Sequence, residues 1–502
     1  MTRRACDRCY AIKAKCQPGR EHGTCRRCER LGHICETARS VRKIGRPRAT
    51  QPTSRKTPDS NSSVGSPNSI TSESPTTVLI STSPEPEPSG TFPTLLHQPS
   101  PIPAFSQFLT HVSEKSTLEF LFSTTHFIPH FIIGPSFANS MQHSLQARFY
   151  VSSEILLEGF LACAAEFARL SGIPSLADRS SASISSLGLS LQVNGDSDSD
   201  PHRKKNITRS TLALHKLRLL HATDIPTIST MLALGTSILT YDQLASLEGA
   251  SMICRYLLSQ VKPWYARLVQ YPELDFELNC LVYLDTVECA LRREVPVLRL
   301  VVRGVGVVDR YVGLVYGLLP LLYDVCILGC EIRRDGGFEE GVEERWERVR
   351  SSIANWQPSP PEDFTSIYTA REVIAMCTQA NIYRQLGLLL LLRHRYRFGT
   401  EDIAATAYAE TILAEVETCS RMAGETPFKI GFPLLVAGFE LVDLGAREGL
   451  IRRHFSAASG MHLLPHKRVR KLLRIVWKER DTKDDVSWFD VVSALPKFGY
   501  IQ

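Results

Sequence analysis

Apolar residues dominate the chain from about residue 106 onward, in long runs without the alternation of a β-strand. Within one of these runs Val469, Leu472, Leu473 and Val476 recur at i, i+3, i+4 and i+7, which is the spacing of one helix face. Roughly 400 residues of this kind can bury a large core. We therefore predict a large all-α domain over residues 106–502, with further helices within residues 151–170, 211–224, 252–269, 371–397 and 404–422.

Two stretches depart from this helical pattern. A Ser/Asp-rich stretch between Pro174 and Ser210 is predicted to be a solvated insertion that interrupts the helices. The apolar stretch from Val312 to Cys330 is nearly long enough to cross a bilayer, but Pro320 and an aspartate interrupt it. A buried helix pair is the favoured interpretation, and no membrane partner is expected.

The residues before the helical region have a different composition. Eleven of the chain's 29 prolines lie in residues 51–105, among many Ser and Thr residues, so this stretch cannot bury enough apolar surface to fold. It contains no sustained heptad that would predict a dimerising coiled coil. We predict a basic, then Ser/Pro-rich, disordered linker over residues 41–105.

Six cysteines near the start form two copies of the pattern C-x2-C-x6-C, displaced by 19 positions. A C-x2-C pair places two thiolates on one side of a turn, and a third cysteine can join them around the same metal ion. Six cysteines are too few for two separate four-thiolate zinc sites, so two ions sharing one bridging cysteine from each half is the economical arrangement. The metal ligands are predicted to be Cys6, Cys9, Cys16, Cys25, Cys28 and Cys35, with Cys6 and Cys25 as bridges.

Other roles for these cysteines are disfavoured. A disulfide framework would suit a secreted chain, but no secretory signal precedes Cys6. His22 and His33 are alternative ligands, although the first falls in the joining loop and the second lies beside a glycine. The eight later cysteines lack ligand spacing, and we expect reduced core residues at Cys163, Cys254, Cys280, Cys289, Cys326, Cys330, Cys377 and Cys419.

Positive charge is concentrated around the six cysteines. Residues 1–50 hold 14 Lys and Arg against 4 acidic residues, a net charge of +10 in a chain whose total is +6. The other residues therefore sum to −4. A compact cationic module is typical of a polyanion binder, because neutralising phosphates supplies the sequence-independent part of the affinity. Nucleic acid is the expected partner.

The cysteine spacing, with basic residues between the second and third cysteines, resembles the fungal zinc binuclear cluster of transcription factors. The resemblance implies two short helices around two zinc ions, bridged by Cys6 and Cys25. It also implies that Lys13 reads a short G/C triplet of double-stranded DNA in the major groove. In that family the residue just before this lysine is usually also basic, whereas here it is Ile12. Phosphate contacts are expected from Arg8, Lys15, Arg26 and Arg27.

A second basic element follows the cysteines. Gly45, Arg46, Pro47 and Arg48 resemble an AT-hook core, in which arginines lie in the narrow minor groove of A/T-rich DNA. A nuclear import signal and a plain basic linker are the competing interpretations. One triplet alone gives too little specificity for a genome, so the DNA site must be extended. The extension could come from contact of Arg46 and Arg48 with an A/T flank, or from dimerisation through the helical domain.

The sequence thus predicts a sequence-specific, zinc-dependent transcription regulator of RNA polymerase II genes that acts in the nucleus with the transcription machinery. The zinc cluster is placed in residues 1–40, and the helical region loosely resembles the regulatory domains found downstream of fungal zinc clusters. Control of a pathway or a biosynthetic gene cluster is an expectation from that resemblance. No catalytic motif is present, and six thiolates saturate two zinc ions, so an enzyme is not expected. A zinc-stabilised scaffold that binds proteins is the alternative.

Overall fold

The computed structural model describes Cys25, Cys28 and most of the chain from residue 112 onward. Contacts divide the chain into two units, Met1–His97 and Gln98–Gln502. The predicted domain boundaries at residues 40 and 105 fall outside the described residues and stay predictions. In the second unit the structure describes residues 112–171, 201–304, 306–335, 340–456, 463–483, 485–495 and 497.

The second unit is built from α-helices, as predicted. The described residues of this unit contain no β-strand, only an isolated bridge between Asp309 and Gly313. The helices are α1 (Val112–Leu121), α2 (Ala138–Val151), α3 (Ser153–Leu170), α4 (Pro201–Leu219), α5 (Ile225–Leu244), α6 (Ala250–Val261), α7 (Tyr265–Leu268), α8 (Asp275–Arg292), α9 (Leu319–Asp335), α10 (Glu340–Asn355), α11 (Phe364–Ile367), α12 (Ala370–Arg395), α13 (Asp402–Ala423), α14 (Gly431–Glu440), α15 (Leu444–His454), α16 (Leu463–Thr482) and α17 (Trp488–Ser493).

Helix α8 lies at the centre of this unit. Every residue of α8 except Asp275 is buried, and the helix packs against α5, α6, α9 and α17. One continuous apolar core extends from α1 to α17. Elsewhere in the unit, helix α3 packs against α4 and α5, and α12 packs against α13. On a helix that is buried on all sides, each polar side chain needs a hydrogen-bond partner from a neighbouring element. The acidic and polar residues of α8 are therefore candidates for a site.

Local capping explains where several helices begin and end. Helix α5 begins after Asp224, whose carboxylate accepts the Thr227 amide hydrogen at 2.8 Å, and a proline occupies its first turn. Helix α12 begins with a capping box formed by Thr369 and Glu372. Helix α13 ends at Gly424, whose φ of 79° is the left-handed conformation that glycine adopts without a Cβ clash.

Two predicted helical segments need correction. Helix α4 begins at Pro201 and not after the predicted insertion ends at Ser210. Its first turns are polar and mostly exposed, so the sequence there lacks the apolar periodicity that predicts a helix. The proline itself is compatible with the first turn of a helix. The segment 252–269 is also broken, because a 3₁₀ turn, Lys262–Trp264, separates α6 from α7. Residues 172–200 lie outside the described residues.

The apolar stretch around Pro320 is not a pair of α-helices. A 3₁₀ turn, Leu314–Leu318, leads directly into α9, and Pro320 lies in the first turn of that helix. The segment Leu314–Arg334 is long and apolar enough to span a membrane by length and composition, yet 56% of its most apolar window is buried in the protein. Asp324 Oδ2 forms an ion pair with Arg299 Nη2 at 2.9 Å, near the surface. The stretch is buried, as predicted, as a core helix packed on α8, α10 and α12.

The remaining predictions on the core are confirmed, except at two cysteines. Val469, Leu472, Leu473 and Val476 are all buried on one face of α16. Six of the eight later cysteines are buried, whereas Cys330 and Cys377 are partly exposed.

Candidate functional site

Two of the six predicted zinc ligands, Cys25 and Cys28, lie among the described residues. Both side chains are buried, and the Cys28 amide nitrogen donates a hydrogen bond to Cys25 Sγ over 3.4 Å. Such a bond supports negative charge on the sulfur, the form that binds zinc. The pair therefore fits two positions of a tetrahedral thiolate site.

The other predicted site residues lie outside the described residues. They are the ligands Cys6, Cys9, Cys16 and Cys35, and the DNA-contacting candidates Arg8, Lys13, Lys15, Arg26, Arg27, Arg46 and Arg48.

A cavity in the helical unit was not predicted from the sequence. It has a volume of about 70 Å³ and lies between α2, α3, α5 and α8. Its wall is almost entirely apolar, and it includes aromatic rings from the loop between α1 and α2 together with Tyr311. Side chains that are only partly buried line it where it approaches the surface, and these are Phe131, Leu145, Thr236 and Thr240.

Glu277 is the one acidic residue in the wall of this cavity. It lies in the first turn of α8 and is 1% exposed. Its Oε1 accepts a hydrogen bond from Nη1 of Arg148, a buried residue of α2 that also donates to the Glu273 carbonyl. Its Oε2 is buried and has no hydrogen-bond partner among the described residues. A buried carboxylate oxygen without a donor is costly, so this atom marks a place where a donor would be stabilised.

Cys280 and Tyr311 form another part of the wall. Burial raises the pKa of the Cys280 thiol to about 12, so the thiol is neutral and unreactive at physiological pH. Behind Tyr311 lies Lys429, whose Nζ is 4.2 Å from the centre of the Tyr311 ring. Burial lowers the pKa of Lys429 to about 7. Near neutral pH the Lys429 amine is therefore partly protonated, and it lies behind the Tyr311 ring and outside the cavity wall.

The described residues hold no group of three or more His, Cys, Asp or Glu side chains placed to bind a metal ion. Within that part of the chain, polar side chains in the core make structural pairs instead. Asp309, for example, accepts hydrogen bonds from the Asn279 side chain and from the Tyr311 and Val312 amides, each at 2.8 Å.

Comparison with protein families identifies the helical unit. The family described as the fungal specific transcription factor domain matches residues 180–497, more than half of the chain. The chain belongs to this family, and it is a transcription regulator of the fungal type with a large all-α domain. No curated protein and no solved structure matches the chain.

The match confirms the looser of the two sequence resemblances, which rested on the helical region. It does not extend to the cysteine repeats. Sequence reasoning also missed the cavity and Glu277. The available signal was the four acidic residues of α8, Asp275, Glu277, Asp285 and Glu288, interspersed among apolar residues, since an acidic residue on a buried helix requires a partner.

Proposed function

We propose that the chain is a zinc-dependent, sequence-specific DNA-binding regulator of RNA polymerase II genes, acting in the nucleus. One observation carries this proposal. A duplicated C-x2-C-x6-C pattern, within 50 residues of net charge +10, precedes a fungal specific transcription factor domain. Zinc ligation supplies folding energy to so short a module, and the surrounding charge supplies affinity for phosphates.

In this proposal the six cysteines hold two zinc ions, with Cys6 and Cys25 bridging them. Lys13 reads guanine in a G/C triplet, because its ammonium suits the O6 and N7 acceptors of that base. The phosphate contacts come from Arg8, Lys15, Arg26 and Arg27, which set the register on the duplex.

The DNA site needs more than one triplet for specificity in a genome. We assign the extension to Arg46 and Arg48, which would lie in the minor groove of an A/T-rich flank. Dimerisation through the helical domain is the alternative route, and it would give two triplets at a fixed spacing.

The test is selection of random duplex DNA by the full-length chain. One G/C triplet with an A/T-rich flank is the expected site, and Arg46→Ala should remove the flank preference while sparing the triplet. Cys9→Ser should abolish selection, whereas the control Cys377→Ser, at a partly exposed cysteine of α12, should leave it unchanged. Failure of the full chain to bind any duplex at low salt would instead favour the zinc-stabilised scaffold.

A further inference from the structure

We infer that the cavity beside Glu277 is a binding site for a small, neutral molecule with an apolar body and one hydrogen-bond donor, such as a short-chain alcohol. This inference goes beyond the proposed DNA reading and does not depend on it, since binding can be measured without DNA. Four properties of the cavity carry it: its size, its apolar wall, its access to the surface and the single carboxylate oxygen that lacks a donor.

The size of the cavity limits the ligand. Its volume of about 70 Å³ is roughly half of the ~150 Å³ in which an engineered apolar cavity binds benzene. A molecule of about three or four non-hydrogen atoms therefore fits. Apolar contacts with Phe127, Ile128, Met141 and Phe160 would hold its carbon atoms.

The polar groups of the wall decide the chemistry of the ligand. Thr236, Ser237 and Thr240 already donate to backbone carbonyls of their own helix, at 2.7 to 2.8 Å. The Tyr311 hydroxyl has no hydrogen-bond partner among the described residues, but it can either donate to or accept from a ligand. Glu277 Oε2 can only accept, and it too has no donor among those residues. An O–H or N–H group on the ligand would satisfy this oxygen, and a hydrogen bond to a charged acceptor is stronger than one to a neutral acceptor.

The ion pair determines the charge of the ligand. Arg148 already compensates the charge of Glu277, and both side chains are buried. A cationic ligand would add an uncompensated charge to an apolar cavity, and an anion would face the free carboxylate oxygen. A neutral donor avoids both costs.

Access to the cavity is available without unfolding the core. The side chains of Leu145 on α2 and of Thr236 and Thr240 on α5 line the cavity and remain partly exposed. A small molecule can therefore enter between these two helices. Binding there would bridge α2, α5 and α8, which gives a ligand a direct way to stabilise the packing of the regulatory domain.

The experiment compares 2-propanol with acetone, which share a carbon skeleton but differ in that only the alcohol has a donor. Saturation-transfer NMR with the full-length chain should show 2-propanol binding about tenfold more tightly, the factor that one charged hydrogen bond supplies. Equal affinities, or no binding of either compound, would overturn the inference.

Two variants locate the binding. Thr236→Met places a longer side chain at the cavity and should abolish binding of both compounds. Thr211→Met is the matched control, since Thr211 is exposed on α4 and also donates to the carbonyl four residues earlier, at 2.8 Å. Glu277→Gln replaces the free acceptor with an amide donor and should reverse the preference in favour of acetone. Retained binding in Thr236→Met would show that the compounds bind outside this cavity. If Glu277→Gln does not fold, the inference is tested by the preference of the wild-type chain for the alcohol and by the loss of binding in Thr236→Met.

Discussion

Arg393 and Glu440 form a two-point ion pair in the core of the helical unit. Arg393 Nη2 lies 2.6 Å from Glu440 Oε2, and Nε lies 3.0 Å from Oε1. The side chains are 1% and 0% exposed, and the pair joins α12 to α14. Arg393 also contacts Asp402 at the start of α13, at 2.7 Å. Three helices of the regulatory domain are thus joined through one guanidinium group.

Removing one partner of this pair should strongly destabilise the domain. Glu440→Gln leaves the buried Arg393 without its closest negative charge, and the expected loss is about 3 to 5 kcal/mol in the free energy of unfolding. Urea denaturation of the full chain measures it. The matched control is Glu347→Gln, because Glu347 pairs with Arg350 at 2.6 Å on the surface. Little change in the free energy of unfolding is expected there, because solvent screens an exposed pair, and equal losses in the two variants would contradict the prediction.

Glu372 should stabilise the start of α12 more than an ordinary helix cap does. Its carboxylate accepts the Ser136 amide at 2.8 Å and hydroxyl at 2.7 Å, and the Thr369 amide and hydroxyl at 2.9 Å. Burial raises the pKa of Glu372, but these hydrogen bonds outweigh that effect and lower it overall. Glu372→Gln should cost about 1 to 3 kcal/mol in urea denaturation. Glu362→Gln, at an exposed residue, is the control and should be neutral.

His394 should make the stability of the domain depend on pH. Its ring stacks 4.3 Å from that of Phe489, and burial, with a contribution from Arg293, lowers its pKa from 6.5 to about 3. Above pH 6.5 the imidazole is neutral in both states, so its contribution to stability is complete. As the pH falls from 6.5 towards 3, the unfolded chain binds the proton first and stability is lost.

The expected loss from His394 at about pH 5 is about 2 kcal/mol relative to neutral pH. Urea denaturation at both pH values measures it. His394→Phe keeps an aromatic ring against Phe489 and should remove this part of the pH dependence, whereas His143→Phe, at an exposed residue of α2, should retain it. An unchanged pH dependence in His394→Phe would show that other groups cause it.

Zinc removal should affect the proposed zinc cluster but not the helical domain. The proposed cluster predicts two zinc ions per chain in native mass spectrometry, and loss of DNA binding when a chelator removes them. The helical signal in circular dichroism should remain, because the described helical residues contain no metal-binding group. A single zinc ion per chain, or full zinc binding by Cys6→Ser, would contradict the bridged arrangement.

Lys13 and Arg26 should differ in what they contribute to DNA binding. Lys13→Ala removes the proposed base contact and should cost about 1 to 3 kcal/mol on the selected site, which narrows its advantage over random DNA. Arg26→Ala removes a proposed phosphate contact, so it should weaken binding to both DNAs similarly and reduce the salt dependence. Binding titrations at several salt concentrations measure both effects. If Lys13→Ala, like Arg26→Ala, weakens binding to the selected site and to random DNA by the same factor, Lys13 is not the base reader.

Local patterns in the sequence determined much of this protein. The i, i+3, i+4, i+7 spacing around Leu472 predicted the buried face of α16, since helix geometry alone places those side chains together. The motif resemblance in the helical region led to the correct family. The spacing of the six cysteines and the surrounding charge are likewise local features, and they carry the proposed zinc cluster.

Contacts between distant residues were decided only by the tertiary structure. Arg148 and Glu277 are 129 positions apart, and no periodicity relates them. Arg393 and Glu440 likewise belong to separate helices. The cavity exists because side chains from α2, α3, α5 and α8 fail to fill the space between them, and that depends on how helices cross, which their individual patterns do not specify.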